Sequence, residues 1–213
     1  YGEPCPEAMV ESALQHAKIL EDNDFFNFKI SVKSSDTLMM MEAYRQLAEQ
    51  CDYPLHLGVT EAGGLRAGTV KSALGIGSLL MQGIGDTLRV SLTADVTEEI
   101  KVGFEILRTL GLRYHGVRIV SCPTCARRGI DVESVVKALE VRLEHISDPL
   151  KIAVMGCVVN GPGEAHAADI GVCGGGNGKA LLFVKGEQKE PINAENAVET
   201  IAALAEEMVG NKQ

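Results

Sequence analysis

Lys33, Glu61 and Arg89 stand 28 residues apart, and each ends or nearly ends a segment that reads as a strand: 28–33, 54–60 and 86–91. Residues between these segments repeat their apolar positions at helical spacing. Ser35 or Asp36 can cap the first helix, which carries Leu38, Met41, Tyr44, Leu47 and Ala48 along one side. A second helix runs from about Ala67 to Met81. Thr97 caps a third, with Glu98 and Glu99 in its positive first turn, Ile100, Phe104 and Leu107 in register, and Gly111 as its stop. Strand and helix alternating at a fixed step is the pattern of parallel βα units, and 28 residues is close to the unit length of an eight-fold βα barrel. Such a barrel gathers its active site at the carboxyl ends of its strands, where this chain places a cation, a carboxylate and a second cation. Arg89 and Ser91 share one face of their strand, while Leu88 and Val90 pack outward under the helices.

Three units cannot close a barrel. The fold expected is therefore α/β, comprising the last three βα units of a TIM-type (β/α)8 barrel whose earlier strands belong to a longer chain. Residues 1–22, with Met9, Ala13, Ala17 and Leu20 in series, form the outer helix preceding the first of those strands. The alternative, a three-stranded doubly wound domain, would be a thin sheet with two open edges. On spacing alone, a lysine or arginine at a strand end is more often a solvated charge than a functional one.

Past Gly111 the pattern changes. Val117 to Val120 lead as a strand into Cys122-Pro123-Thr124-Cys125, and Asp131 caps a helix carrying Val132, Val135, Val136, Leu139, Leu143 and Ile146. Leu150 to Val154 form a strand ending at Gly156-Cys157. Ala168 to Cys173 and Leu181 to Val184 pair as a hairpin around Gly174-Gly175-Gly176-Asn177-Gly178, and Ala194 to Met208 close the chain as a helix. The glycine run fails as a phosphate loop: the first glycine position of the Walker pattern holds Cys173 and the hydroxyl position holds Ala180, so it reads as a plain turn.

Both halves of a thiol cluster thus follow strands. A Cys-x-x-Cys pair brings two soft sulfurs to one point, and Cys157, 31 intervening residues later, adds a third. Cys122, Cys125 and Cys157 suit an iron-sulfur cluster or zinc. No fourth cysteine stands at short spacing. Glu164, seven residues after Cys157, can be turned back by Asn160-Gly161-Pro162-Gly163 to offer a carboxylate. A hard, displaceable ligand on a thiolate-held iron would open that metal to a substrate oxygen, which favours catalysis over electron carriage. The competing structure is a Cys3His zinc site completed by His166, with Cys173 also within reach; the dithiol of a thioredoxin-like protein is a further alternative. Cys173 otherwise reads as a small buried residue, and Cys5 and Cys51 as ordinary reduced thiols.

At 213 residues and 46% apolar composition the chain can bury two cores, and the break falls at residues 1–115 and 116–213. A net charge of -9 offers no basic field to a phosphodiester backbone, which argues against nucleic acid as a partner. No run approaches the length of a spanning helix, so no membrane is implied. Free thiols without a secretory leader suit a reducing, cytoplasmic setting.

Ser31-Val32-Lys33, the stretch Leu57 to Gly64, the stretch Gly83 to Ser91, the Cys122 to Cys125 motif and the stretch Gly156 to Glu164 together resemble the 4-hydroxy-3-methylbut-2-en-1-yl diphosphate synthase family over nearly the whole chain. The last motif is highly specific. The resemblance implies an N-terminal barrel followed by a small α+β iron-sulfur domain similar to those of sulfite and nitrite reductases. It implies reductive opening and dehydroxylation of 2-C-methyl-D-erythritol 2,4-cyclodiphosphate in non-mevalonate isoprenoid synthesis. By the same resemblance Cys122, Cys125, Cys157 and Glu164 hold a 4Fe-4S cluster, Lys33, Arg89 and Ser91 grip the diphosphate, and Glu61 is the acid that assists loss of the hydroxyl as water. Ferredoxin or flavodoxin supplies electrons, and a homodimer is implied. The alternatives are an electron carrier without a substrate pocket and a zinc-stapled interaction module.

Overall fold

Pro6 follows an extended Cys5 and opens helix α1 (Pro6–Glu21), a position where its missing N–H costs no hydrogen bond. The computed structural model describes residues 1–123 and 125–210 and divides into two compact units, Tyr1–Arg113 and the remainder from Tyr114.

In the first unit α1 is followed by α2 (Thr37–Ala48), β1 (His56–Leu57), α3 (Leu65–Leu80), β2 (Thr87–Leu88) and α4 (Val96–Thr109). β1 and β2 are parallel, His56 opposite Thr87, and Ile30 forms a parallel bridge to Leu55. The regular ladders are therefore much shorter than the strands expected from the alternation. The backbone stays paired beyond them: the Ile30 and His56 amides bond across to Pro54 and Ile30, Arg89 N–H donates to the Leu57 carbonyl at 2.9 Å, and Thr60 N–H to that of Ser34 at 3.1 Å. Twist between parallel neighbours draws strand ends apart where only one flank is paired, which shortens the regular part of each ladder.

Two helix faces also differ from the periodicity. Asp36 caps α2 by accepting the Met39 amide at 2.8 Å, but Met40, Ala43, Tyr44 and Leu47 form the buried side and Leu38 is 76% exposed. The tyrosine decides this, because its hydroxyl bonds under the sheet to the His56 carbonyl and receives the Val32 amide. In α4 the cap is Asp95, not Thr97; the carboxylate, a stronger acceptor, takes both the Thr97 amide and its hydroxyl. α4 buries Val102, Gly103 and Ile106, leaving Ile100 63% exposed. Gly103 packs over Leu88 and Val90, where a β-carbon would stand in ordinary contact at 3.4 and 3.9 Å.

The second unit runs β3 (Val117–Ser121), α5 (Val132–Arg142), β4 (Leu150–Met155), α6 (Gly161–His166), β5 (Ile170–Gly176), β6 (Lys179–Val184), β7 (Glu187–Gln188), β8 (Ile192–Asn193), a 3-10 turn at Ala194–Asn196 and α7 (Ala197–Gly210). One mixed sheet has the order β3-β4-β5-β6-β7, with β8 also on β6; β3, β4 and β5 are parallel, and β5, β6 and β7 antiparallel. β4 is buried on both faces. Ile152 and Val154 pack with Leu139 of α5 and Ile201 and Ala205 of α7, while Ala153 and Met155 pack with Ala165 of α6. The Asn160 to Gly163 stretch, expected as a turn, instead enters α6. Two glycines seat that helix on β5: a β-carbon on Gly161 would fall 2.4 Å from Cys173 Cβ, and one on Gly171 would fall 2.4 Å from Ala165 Cα. No helix among the described residues is long and apolar enough to cross a membrane.

Candidate functional site

On the first unit, successive strands present polar residues on one face at every second position: Lys29, Ser31 and Lys33; His56 and Gly58; Thr87, Arg89 and Ser91. The intervening Ile30, Val32, Leu55, Leu57, Val59 and Val90 are buried toward the helices. The polar face is held by local bonds. Ser31 Oγ donates to the His56 carbonyl at 2.8 Å, His56 Nδ1 lies 2.7 Å from Thr87 Oγ1, and Arg89 Nε donates to Ser91 Oγ at 3.2 Å. Gly58 has to lack a side chain here: a β-carbon would meet the Arg89 carbonyl at 2.9 Å and Lys33 Cε at 3.0 Å.

The structure thus brings Lys33, Arg89 and Ser91 onto one surface and adds Lys29 and His56. Burial first, then Arg89 and Lys29, push the Lys33 ammonium below its usual pKa. His56 is lowered as well, by burial and then by Lys33, Lys29 and Arg89. Among the described residues no ion pair joins a carboxylate to Lys33 or Arg89. Cations held together without counter-charge are a site for an anion. His56 and Lys29 were missed from the sequence; the signal was that Lys29 stands two residues before Ser31 and His56 two before Gly58.

Glu61 leaves β1 with φ +50°, a left-handed conformation that a residue with a β-carbon adopts at a cost. Its carboxylate is exposed, and among the described residues it makes no ion pair with Lys33 or Arg89.

In the second unit Cys122 is the residue after β3 and Cys157 lies two residues after β4. The parallel register Ser121 to Val154 carries these two loops out at the same end of the sheet. Gly156 N–H donates to Cys122 Sγ at 3.1 Å, tying them. Cys125 is exposed, with its carbonyl accepting the Arg128 amide; Thr124 lies outside the described residues. Cys173 is buried on β5 opposite Met155, and burial, then the nearby Cys157, push its thiol up. Glu164 is exposed in the first turn of α6, on a helix whose start packs against Cys173.

His166 is elsewhere. Its ring lies 3.5 Å from the position of a β-carbon on Gly186, in the turn after β6, whose Val184 pairs with Ile170 at the beginning of β5. Three residues of strand, about 10 Å, separate that row from Cys173. The Cys3His zinc set is therefore split between opposite ends of the sheet. Among the described residues no three His, Cys, Asp or Glu side chains close on one point as a metal ion would require. The donors fit an iron-sulfur group: three thiols on two loops, one already accepting a backbone N–H, are the donor chemistry by which proteins hold such clusters.

The GcpE TIM-barrel domain model matches residues 1–104, and the GcpE protein C-terminal domain model matches residues 118–207. A protein of Rhodospirillum rubrum named 4-hydroxy-3-methylbut-2-en-1-yl diphosphate synthase (flavodoxin) is 62% identical over 211 residues, which are 97% of this chain and 55% of that protein. Proteins of the same name from Gluconobacter oxydans and Caulobacter vibrioides are each 58% identical, over 99% and 100% of this chain and 55% and 56% of their own lengths. The chain spans about half the length of the curated relatives it matches. With two models of one family matched in succession along it, the chain belongs to the GcpE family.

Proposed function

We propose that this chain is the C-terminal portion of a 4-hydroxy-3-methylbut-2-en-1-yl diphosphate synthase, which reductively opens and dehydroxylates 2-C-methyl-D-erythritol 2,4-cyclodiphosphate. Residues 1–115 contribute the last three βα units of the barrel and bind the diphosphate; residues 116–213 form an α+β iron-sulfur domain of the sulfite and nitrite reductase kind. Lys33, Arg89 and Ser91 grip the diphosphate through charge-assisted hydrogen bonds, which the absence of neighbouring counter-charge leaves free to form. Glu61 is the acid that assists loss of the hydroxyl as water. Cys122, Cys125, Cys157 and Glu164 hold a 4Fe-4S cluster, which when bound supplies electrons singly. The donor is flavodoxin, as the relatives' names say of those proteins, or a ferredoxin; the working protein is a cytoplasmic homodimer.

One observation carries this reading: two cysteine motifs far apart in sequence leave adjacent parallel strands at the same end, and Gly156 N–H bonds Cys122 Sγ between them. The test is oxygen-free purification followed by metal and sulfide analysis with visible and electron paramagnetic resonance spectra. The reading requires iron with matching sulfide and the broad visible absorption of a cluster. One equivalent of zinc, no sulfide and no colour would end it.

A further inference from the structure

We infer that Gly174 and Gly129 are positioning residues for the cluster, because the absence of side chains at these two points lets the two cysteine loops lock together through backbone. This rests on the reading that Cys122, Cys125 and Cys157 hold the cluster, and goes beyond it by assigning a role to glycines in the run that fails as a phosphate loop.

The contact is a sandwich around one carbonyl. Gly129 N–H donates to the Gly156 carbonyl at 2.6 Å, and a β-carbon on Gly174 would stand 2.3 Å from that same oxygen and 3.0 Å from Gly129 N and Cα. Gly129 in turn sits 3.3 Å, at its β-carbon position, from Gly176 N. Gly129 follows the Cys122 to Arg128 loop, Gly156 precedes Cys157, and Gly174 stands on β5 where its pairing with β6 shifts register.

That carbonyl belongs to the peptide unit that carries the Cys157 amide, so pushing it aside rotates the root of Cys157. The same residue's N–H is the donor to Cys122 Sγ at 3.1 Å, so the displacement reaches the second loop too. Hydrogen bonds to cluster sulfurs set how tightly a cluster is held and at what potential it works. Backbone conformation does not explain these glycines. Gly176 and Gly178 have positive φ and serve the turn, whereas Gly129, Gly156 and Gly174 do not; what those three need is space. Gly175, one residue on, would meet its nearest neighbours at 3.4 to 3.7 Å, an ordinary contact, and gives a matched control in the same hairpin.

The experiment compares the 213-residue chain with G174A, G129A and G175A, each reconstituted without oxygen with iron and sulfide. Iron affinity, resonance spectrum and midpoint potential are read on the bound fraction, and circular dichroism and thermal melting report the fold. G174A should hold iron about tenfold more weakly, in the range seen for residues that orient ligands, with an altered spectrum and a shifted potential in what remains. G129A should shift the same readouts less, and G175A should match the parent. A folded G174A with the parent's iron content, spectrum and potential overturns the assignment. If G174A fails to fold, G129A decides, and its identity with G175A in spectrum and potential overturns the assignment equally. A parent chain that takes zinc without sulfide overturns the cluster reading itself, and is told apart because no variant comparison is needed to see it.

Discussion

Lys33, His56 and Arg89 lie on extended segments whose backbones bond to one another within or just past the short ladders, whereas Cys122, Cys125 and Cys157 lie on loops that leave longer strands. Both groups exploit the same end of parallel strands, where ligands gather in α/β proteins. The means of convergence differ. In the first unit the two-residue alternation of neighbouring extended segments assembles the cations, and burial first, then the neighbouring cations, holds Lys33 and His56 below their ordinary pKa. In the second unit the sheet brings only the loop roots together, and backbone contacts among glycines do the rest. A site built on strands is formed before its ligand arrives; one built on loops is completed by it, so metal binding and local folding become one equilibrium.

The largest effect should fall on the loop-built site. Cys157→Ser removes one of three thiol donors and is expected to abolish stable iron binding, measured as iron and sulfide per chain after anaerobic reconstitution. Inorganic pyrophosphate binding to the same sample, followed by calorimetry, should be unchanged. If it falls together with the iron, the two sites do not form separately and the contrast between them fails.

Next come Arg89→Met and Lys33→Met. Each removes a charge-assisted hydrogen bond worth roughly 1.5 to 3 kcal/mol, so pyrophosphate affinity should fall by about ten- to a hundredfold, with a shallower dependence on salt. An affinity within about twofold of the parent would mean that these are solvated surface charges of the ordinary, weakly contributing kind.

These two sites were unequally legible in the sequence. Arg89 and Ser91 could be placed on one face, and Lys33 at a neighbouring strand end, because strand alternation is strictly periodic and survives even where the regular ladder shrinks to His56–Leu57 and Thr87–Leu88. His56 escaped notice because attention to strand ends overlooked the residue two positions before Gly58. Helix faces were read less well. Leu38 and Ile100 satisfy apolar spacing yet face outward; the orientation of α2 follows the buried hydroxyl of Tyr44, and α4 turns Val102, Gly103 and Ile106 inward, neither of which periodicity records. The cysteine loops were legible as a donor set but not as a geometry. The contacts of Gly129, Gly156 and Gly174 join segments 18 to 45 residues apart, a matter of tertiary packing that no local pattern carries.

A third, smaller effect concerns Glu61, the strained residue of the strand-built site. Left-handed backbone costs a residue with a β-carbon about 1 kcal/mol or more relative to glycine, so Glu61→Gly should raise the unfolding free energy by about that amount, seen as a higher urea midpoint at unchanged slope. Such a gain on deleting a carboxylate would mark Glu61 as kept for chemistry and not for stability. A loss would show that its side chain holds the strand end in place.

The smallest effect is the pH response of His56, which is partly exposed, so water screens its neighbours. Its folded pKa is held below the ordinary value by burial and then by Lys33, Lys29 and Arg89. As pH falls the unfolded chain therefore takes up a proton first, and folding stability declines from about pH 6.5 downward until the folded imidazole is protonated as well. Pyrophosphate reverses the sign of the local field, favours the charged ring and should reduce that decline. Urea unfolding across a pH series from about 7.5 to 5.5, with and without pyrophosphate, reads both slopes. His56→Asn, which keeps a polar group toward Thr87, should flatten the acid-side slope and make it indifferent to pyrophosphate. A variant whose slope still responds to the anion as the parent's does would place the proton-linked group elsewhere and take His56 out of the anion site.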